Sequence, residues 1–223
     1  MDAQSLLSTV LASTMHEVKN NLGVLFARIE RLVEPMPLAD TQKSELNQIK
    51  ALGDTLNHEL VRMLLLYKTN AGGYAPHIEQ YALVELFEDA VARHRLTAET
   101  HSIRWQIDCD DELLGFFDES LISSVLDTAI FNAAKAGAST ITLCAREEDN
   151  MLVIGLEDDG PGFPDGLLRS DFTPQARSGN STGLGLYFAQ CIAELHQNEG
   201  KKGFLKLSNR KNTHGARLEM YLP

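Results

Sequence analysis

The 223-residue chain is poor in cysteine, proline, tryptophan and positive charge. Its three cysteines, Cys109, Cys144 and Cys191, are widely spaced and odd in number, each within an apolar or regular segment. That pattern excludes a disulfide framework and a clustered metal-ligand set, and it predicts a reducing compartment. With 20 basic against 31 acidic residues and a formal net charge of -11, the chain is disfavoured for phosphate-backbone binding, which needs a clustered basic surface. Nucleic acid is therefore not an expected partner. No apolar run approaches the ~20 residues required to cross a bilayer, and the first residues lack the basic-then-apolar layout of a secretion signal. These absences predict a cytoplasmic location without direct membrane insertion.

What is present is 43% hydrophobic residues, ample for a packed core, arranged in two different periods. Leu11, Met15, Val18, Leu22, Leu25, Ile29 and Leu32 recur at alternating spacings of four and three, a heptad seam that predicts a helix over residues 4–34. Pro35-Met36-Pro37 ends it, because proline supplies no donor and pushes its predecessor out of helical geometry. From Asp40 or Thr41 a second seam runs through Leu46, Ile49, Leu56, Leu60, Met63 and Tyr67, with Gly53 at the one register position that lacks an apolar residue. Two such helices form an antiparallel hairpin with a single apolar stripe, which cannot make an adequate core alone. A second copy completing a dimeric four-helix bundle is the economical solution, so a homodimer is expected.

Asn70-Ala71-Gly72-Gly73 has the composition of a linker, dividing a helical domain at 1–70 from a second domain at 74–223. In the second domain, residues 103–107, 140–144, 152–156, 204–207 and 216–220 read as strands. Residues 83–95, 119–136 and 183–196 read as helices. The expectation is a two-domain protein, α followed by α/β, whose second part is an α+β sandwich of one mixed sheet backed by helices.

Three constellations could carry chemistry. His16 lies one residue past the seam position Met15, so it faces the flank of the bundle, with Asn20 one turn further and Glu17 adjacent. A neutral imidazole nitrogen can attack phosphorus, and Glu17 could draw on its proton. Taken alone, the same residues also suit an ordinary solvated helix face. Asp158-Asp-Gly-Pro-Gly162 follows a predicted strand. A carboxylate there can accept a hydrogen bond from the exocyclic amine of adenine, while Gly160 and Gly162 let the backbone approach a ligand. Ser181-Thr-Gly-Leu-Gly-Leu186 opens a predicted helix, where Gly183 and Gly185 would offer unpaired amides to phosphate, with residues 178–182, Thr182 among them, as a mobile lid. Either glycine pair alone could be turn chemistry. Asn132 lies on a helix whose apolar residues point elsewhere; its amide oxygen could ligate Mg²⁺, and Lys135 could pair with phosphate. A solvated helix asparagine is the competing reading.

The ordered series His-Glu-Val-Lys-Asn (16 to 20), Asn132, Asp158-x-Gly-x-Gly162, Phe172 and Gly183-x-Gly185 resembles the sensor histidine kinases over nearly the whole chain. The first motif is similar to the His-Glu-x-Lys-Asn form of nitrogen-regulation kinases. The resemblance implies a dimerisation and histidine-phosphotransfer hairpin followed by a GHKL-type ATPase domain with the Bergerat fold. It implies ATP and Mg²⁺ as cofactors, a response regulator receiver domain as partner, His16 as phosphoacceptor and Glu17 as its proton acceptor. It further implies Mg²⁺ binding at Asn132, adenine contact at Asp158, and a lid hinge including Phe172 and the glycines at 183 and 185. Asn20 matches the family position that also serves dephosphorylation of the regulator, which leaves phosphatase activity open.

Departures from the family pattern are Asn21 where relatives often have proline, Thr128 in place of an additional asparagine, and Ser181 in place of the first glycine of the last Gly-rich box. Met1 stands so close to His16 that input is expected from a separate, unknown sensor protein, unless the chain is a core excised from a longer one. Two rivals remain at this stage: a phosphotransfer adaptor whose ATPase-like domain does not use ATP, and a GHKL kinase acting on serine.

Overall fold

The computed structural model describes residues 75–168, 184–210 and 214–223, together with the single positions Val24, Arg28, Gln42, Ile49 and Gly53. The chain divides into two compact units, Met1–Tyr74 and Ala75–Pro223. In the first unit the five described positions are helical, and Ile49, a seam residue, is 45% exposed. The remaining seam positions and the hairpin's turn lie outside the described residues.

In the second unit, β1 (Glu79–Ala82) leads into α1 (Leu83–Arg93) and α2 (Arg95–His101), followed by β2 (Arg104–Asp108) and β3 (Leu114–Phe117). Next come α3 (Glu119–Lys135), β4 (Thr140–Glu148), β5 (Met151–Asp158) and the short α4 (Asp165–Leu168). The unit finishes with α5 (Leu184–Leu195), β6 (Gln197–Asn198), β7 (Lys201–Lys202), β8 (Phe204–Asn209) and β9 (Ala216–Leu222). Five strands form one sheet in the order β2-β4-β5-β9-β8, parallel between β2 and β4 and antiparallel elsewhere. The mixed sheet expected from the five apolar runs is present, with each strand within a few residues of its expected bounds.

Strand alternation builds the core. Ile141 and Leu143 on β4 stand on one face with their neighbours Leu156 on β5 and Leu218 and Met220 on β9, all buried. The opposite face carries the ion pairs Arg217–Glu157 at 2.6 Å and Arg146–Glu219 at 2.8 Å. Helices α3 and α5 pack on each other, α3 also meeting β5 and α5 meeting β8 and β9. Helix α3 buries Leu121, Ile122, Val125, Leu126, Ala129, Ile130 and Ala133, a stripe at spacings of three and four that leaves the rest of its circumference free for polar work.

Two features differ from expectation. The helix predicted over 83–95 ends at Arg93, and α2 begins at Arg95. His94 at the junction leaves helical geometry at φ -97° and ψ 15°, and its Nε2 lies 3.0 Å from Asp127 Oδ1 on α3. A tertiary contact holds this residue where local propensity alone would have continued the helix. The ribbon β1–β3 and the hairpin β6–β7 add two small sheets that the periodicity did not reveal.

Candidate functional site

Helix α3 begins at Asp118, whose side chain caps it by accepting from the Leu121 N–H at 3.1 Å. The same carboxylate accepts from the Ser120 hydroxyl at 2.8 Å and, through its other oxygen, from the His77 N–H at 2.9 Å. The Asp118 N–H in turn donates to Nε2 of the buried His196 at 3.0 Å, while His196 Nδ1 lies 2.8 Å from the Ile192 carbonyl. With Nε2 accepting, Nδ1 carries the proton, so the ring is neutral. Burial holds its pKa below the ordinary histidine value, against the Ile192 carbonyl and the Asp118 charge, which both act to raise it. This ring fastens the end of α5 to the start of α3.

At the other end of α3, Asn132 and Lys135 are exposed, and neither lies in the buried stripe. Thr128, where the family pattern offers a further asparagine, is instead buried at 4% exposure. The last turn of α3 borders the loop that follows β5: a Cβ added to Gly160 would lie 3.9 Å from Ala136 Cβ and 3.0 Å from Asp158 Oδ1. Asn132, Lys135 and the Asp158 loop therefore share one end of the unit.

Asp158 closes β5 and is buried at 7% exposure. Its Oδ1 accepts from the Gly160 N–H at 2.8 Å and the Ala216 N–H at 3.3 Å. Among the described residues no donor reaches its Oδ2. One oxygen is thus fixed by backbone amides and the second is available, the arrangement needed to present a carboxylate in a set direction. Asp159 points the other way, its Oδ1 accepting from the Ser139 N–H at 2.7 Å and the Thr140 N–H at 2.9 Å. Desolvation opposes its charge, but those amides prevail and hold the carboxyl below the usual carboxylate range.

Gly162 takes φ +82°, a conformation costly for any residue with a Cβ, and Gly215, just before β9, takes φ +145°. A Cβ on Gly215 would fall 2.2 Å from the Asp158 carbonyl oxygen, so the chain before β9 runs directly against the loop's first residue. Gly185 lies near the N-terminal end of α5 as described.

Of the residues singled out in the sequence, Asn132, Lys135, Asp158, Gly160, Gly162 and Gly185 are therefore placed. His16, Glu17, Asn20, Phe172, Thr182 and Gly183 lie outside the described residues. Sequence reasoning passed over Asn209, which pairs with the Phe163 backbone through both ends of its amide. A signal was available: strand alternation sets Asn209 on the face of Leu205 and Leu207, a polar residue where an apolar one is expected. Among the described residues, no cluster of three or more His, Cys, Asp or Glu could hold a metal ion, and no helix is long and apolar enough to cross a membrane.

Residues 117–223 match the family described as histidine kinase-, DNA gyrase B-, and HSP90-like ATPase. The chain is 27% identical over 207 residues to the sensor histidine kinase WalK of Bacillus subtilis, covering 83% of this chain and 32% of WalK. It is 25% identical over 216 residues to the sensor protein PhoQ of Escherichia coli, covering 95% of this chain and 42% of PhoQ. Full-length ShkA in complex with AMPPNP has a similar fold, with a TM-score of 0.69 at 21% identity over 96% of this chain and 45% of that one. The chain thus spans only about a third to two-fifths of the curated relatives it matches.

Proposed function

We propose, from the premise that the chain is a histidine kinase catalytic core with a GHKL-type ATPase domain over residues 117–223, that it autophosphorylates on a histidine in a two-component system. The observation that carries the reading is Asp158, a buried carboxylate with one oxygen oriented by two backbone amides and the other left to accept from an adenine amine.

The residues fit an adenine nucleotide. Gly160 leaves the space beside Asp158 Oδ1 free of a Cβ, Gly162 makes room for the Asn209 amide, Lys135 offers a cation at the same end of the unit, and Gly185 contributes amides at the start of α5. Bound ATP would supply the phosphoryl group, and Mg²⁺ would neutralise its charge. Asn132 would give Mg²⁺ one oxygen; a hard cation that keeps several waters and phosphate oxygens needs few protein ligands. Thr182, Gly183 and Phe172 belong to the lid and its hinge in this reading. His16 accepts the phosphoryl group on a neutral ring nitrogen, Glu17 takes the imidazole proton, and Asn20 orients the site. A response regulator's aspartate is the onward acceptor, and Asn20 also serves hydrolysis of the resulting aspartyl phosphate, in which water takes the phosphoryl group and inorganic phosphate leaves. Residues 1–70 form the dimeric four-helix bundle and 74–223 the catalytic domain; the exposed seam residue Ile49 supports pairing with a second copy. The three free cysteines fit a reducing cytoplasm.

Titration with ADP and ATP tests the site. Wild type binds both and Asp158→Asn loses both; a wild-type protein that binds neither sinks this reading in favour of an adaptor, and an Asp158→Asn variant that binds as tightly as wild type removes Asp158 from adenine recognition.

A further inference from the structure

The loop from Asp158 to Phe163 is held at both ends by one facing pair of residues at the edge of the sheet. In the β8–β9 register, Asn209 stands opposite Ala216. The Ala216 N–H donates to Asp158 Oδ1 at 3.3 Å, at the loop's beginning. At its far end, Asn209 Oδ1 accepts from the Phe163 N–H at 2.7 Å, and Asn209 Nδ2 donates to the Phe163 carbonyl at 2.8 Å. Between them, a Cβ on Gly162 would lie 2.9 Å from Asn209 Oδ1, so the amide occupies the space that a side chain at 162 would take.

Both Asn209 hydrogen bonds are exposed, and an exposed bond that water can replace adds little to global stability. What the pair removes is freedom from a short loop containing two glycines, whose first residue carries the oriented carboxylate. We propose that Asn209 is a positioning residue for the base-binding subsite, clamping the loop so that Asp158 and the Gly160 and Gly162 backbone are preset for the nucleoside part of the nucleotide. The proposal rests on the adenine-contacting role of Asp158 given above. It assigns to β8 a part in nucleotide affinity that none of the glycine motifs carries, and it locates that part at the base end rather than at the phosphates.

The test is calorimetric titration of the full chain with ADP and with adenosine, paired with thermal unfolding in the absence of ligand. Asn209→Ala should weaken both ligands by the same factor, roughly 5- to 10-fold, while the unliganded unfolding midpoint moves by no more than about 2 °C. Asn209→Asp keeps the acceptor for the Phe163 N–H and loses the donor, so it should recover part of the affinity. Ser208→Ala, next door on the opposite face of β8, should bind as wild type does. Equal adenosine affinity in wild type and Asn209→Ala would overturn the proposal. So would a loss confined to ADP, or one that Asn209→Asp recovers in no measure. Asp158→Asn in the same series separates the two ideas. If it binds ADP normally, the adenine role of Asp158 fails; if it loses ADP while Asn209→Ala does not, only the clamp fails.

Discussion

Replacing His196 by alanine removes a ring that satisfies two buried backbone groups at once, the Asp118 N–H and the Ile192 carbonyl. Each buried polar group left without a partner costs about 1–3 kcal/mol, and the vacated volume adds to that. A total loss on the order of 3–5 kcal/mol follows, which for a unit of this size lowers the unfolding midpoint by about 10 °C. The same ring makes stability depend on pH. Its folded-state pKa lies below the ordinary value near 6.5, so as pH falls the unfolded chain takes up the proton first. The neutral ring's contribution is complete above about pH 6.5 and declines below it, by up to about 1.4 kcal/mol per pH unit, until the folded form also protonates. Urea unfolding followed by circular dichroism at pH 7.5 and pH 5.5 measures both effects. The gap between wild type and His196→Ala should be wide at pH 7.5 and narrower at pH 5.5. Parallel curves with the same gap at both values would refute the assignment of a neutral, doubly bonded ring.

Two further outcomes are expected. Gly215→Ala should lower the unfolding midpoint by several degrees and abolish the stabilisation that ADP confers, because its Cβ would stand 2.2 Å from the Asp158 carbonyl; a melting curve with and without ADP reads both. Arg146→Met leaves Glu219, 3% exposed on β9, without its 2.8 Å partner, and chemical denaturation should show a loss of about 2 kcal/mol, reduced from the fully buried case because Arg146 itself is partly exposed.

The elements legible in the sequence were those whose pattern is local and long. Helix α3 shows its buried stripe directly, and β4, β5 and β9 show strong apolar runs. Strand β1, Glu-Gln-Tyr-Ala, is too short and too polar to signal itself, and it exists because it pairs with β3 across a long stretch of chain. The break at His94 depends on Asp127, far along the sequence, and so could not be read from neighbours. At the site, the glycines and Asp158 announced themselves through motif spacing. The groups that aim them did not: Asn209 meets Phe163 across 46 positions and His196 meets Asp118 across 78, contacts that only the folded sheet and helices create.

In the proposed reaction, a nucleotide held at Asp158 delivers its terminal phosphoryl group to His16. Incubating wild type, His16→Ala and Asp158→Asn with γ-labelled ATP and Mg²⁺, and then challenging retained label with acid and with base, tests it most directly. Wild type should carry an acid-labile, base-stable label, and neither variant should carry any. Label that persists in His16→Ala, or that survives acid, would contradict it.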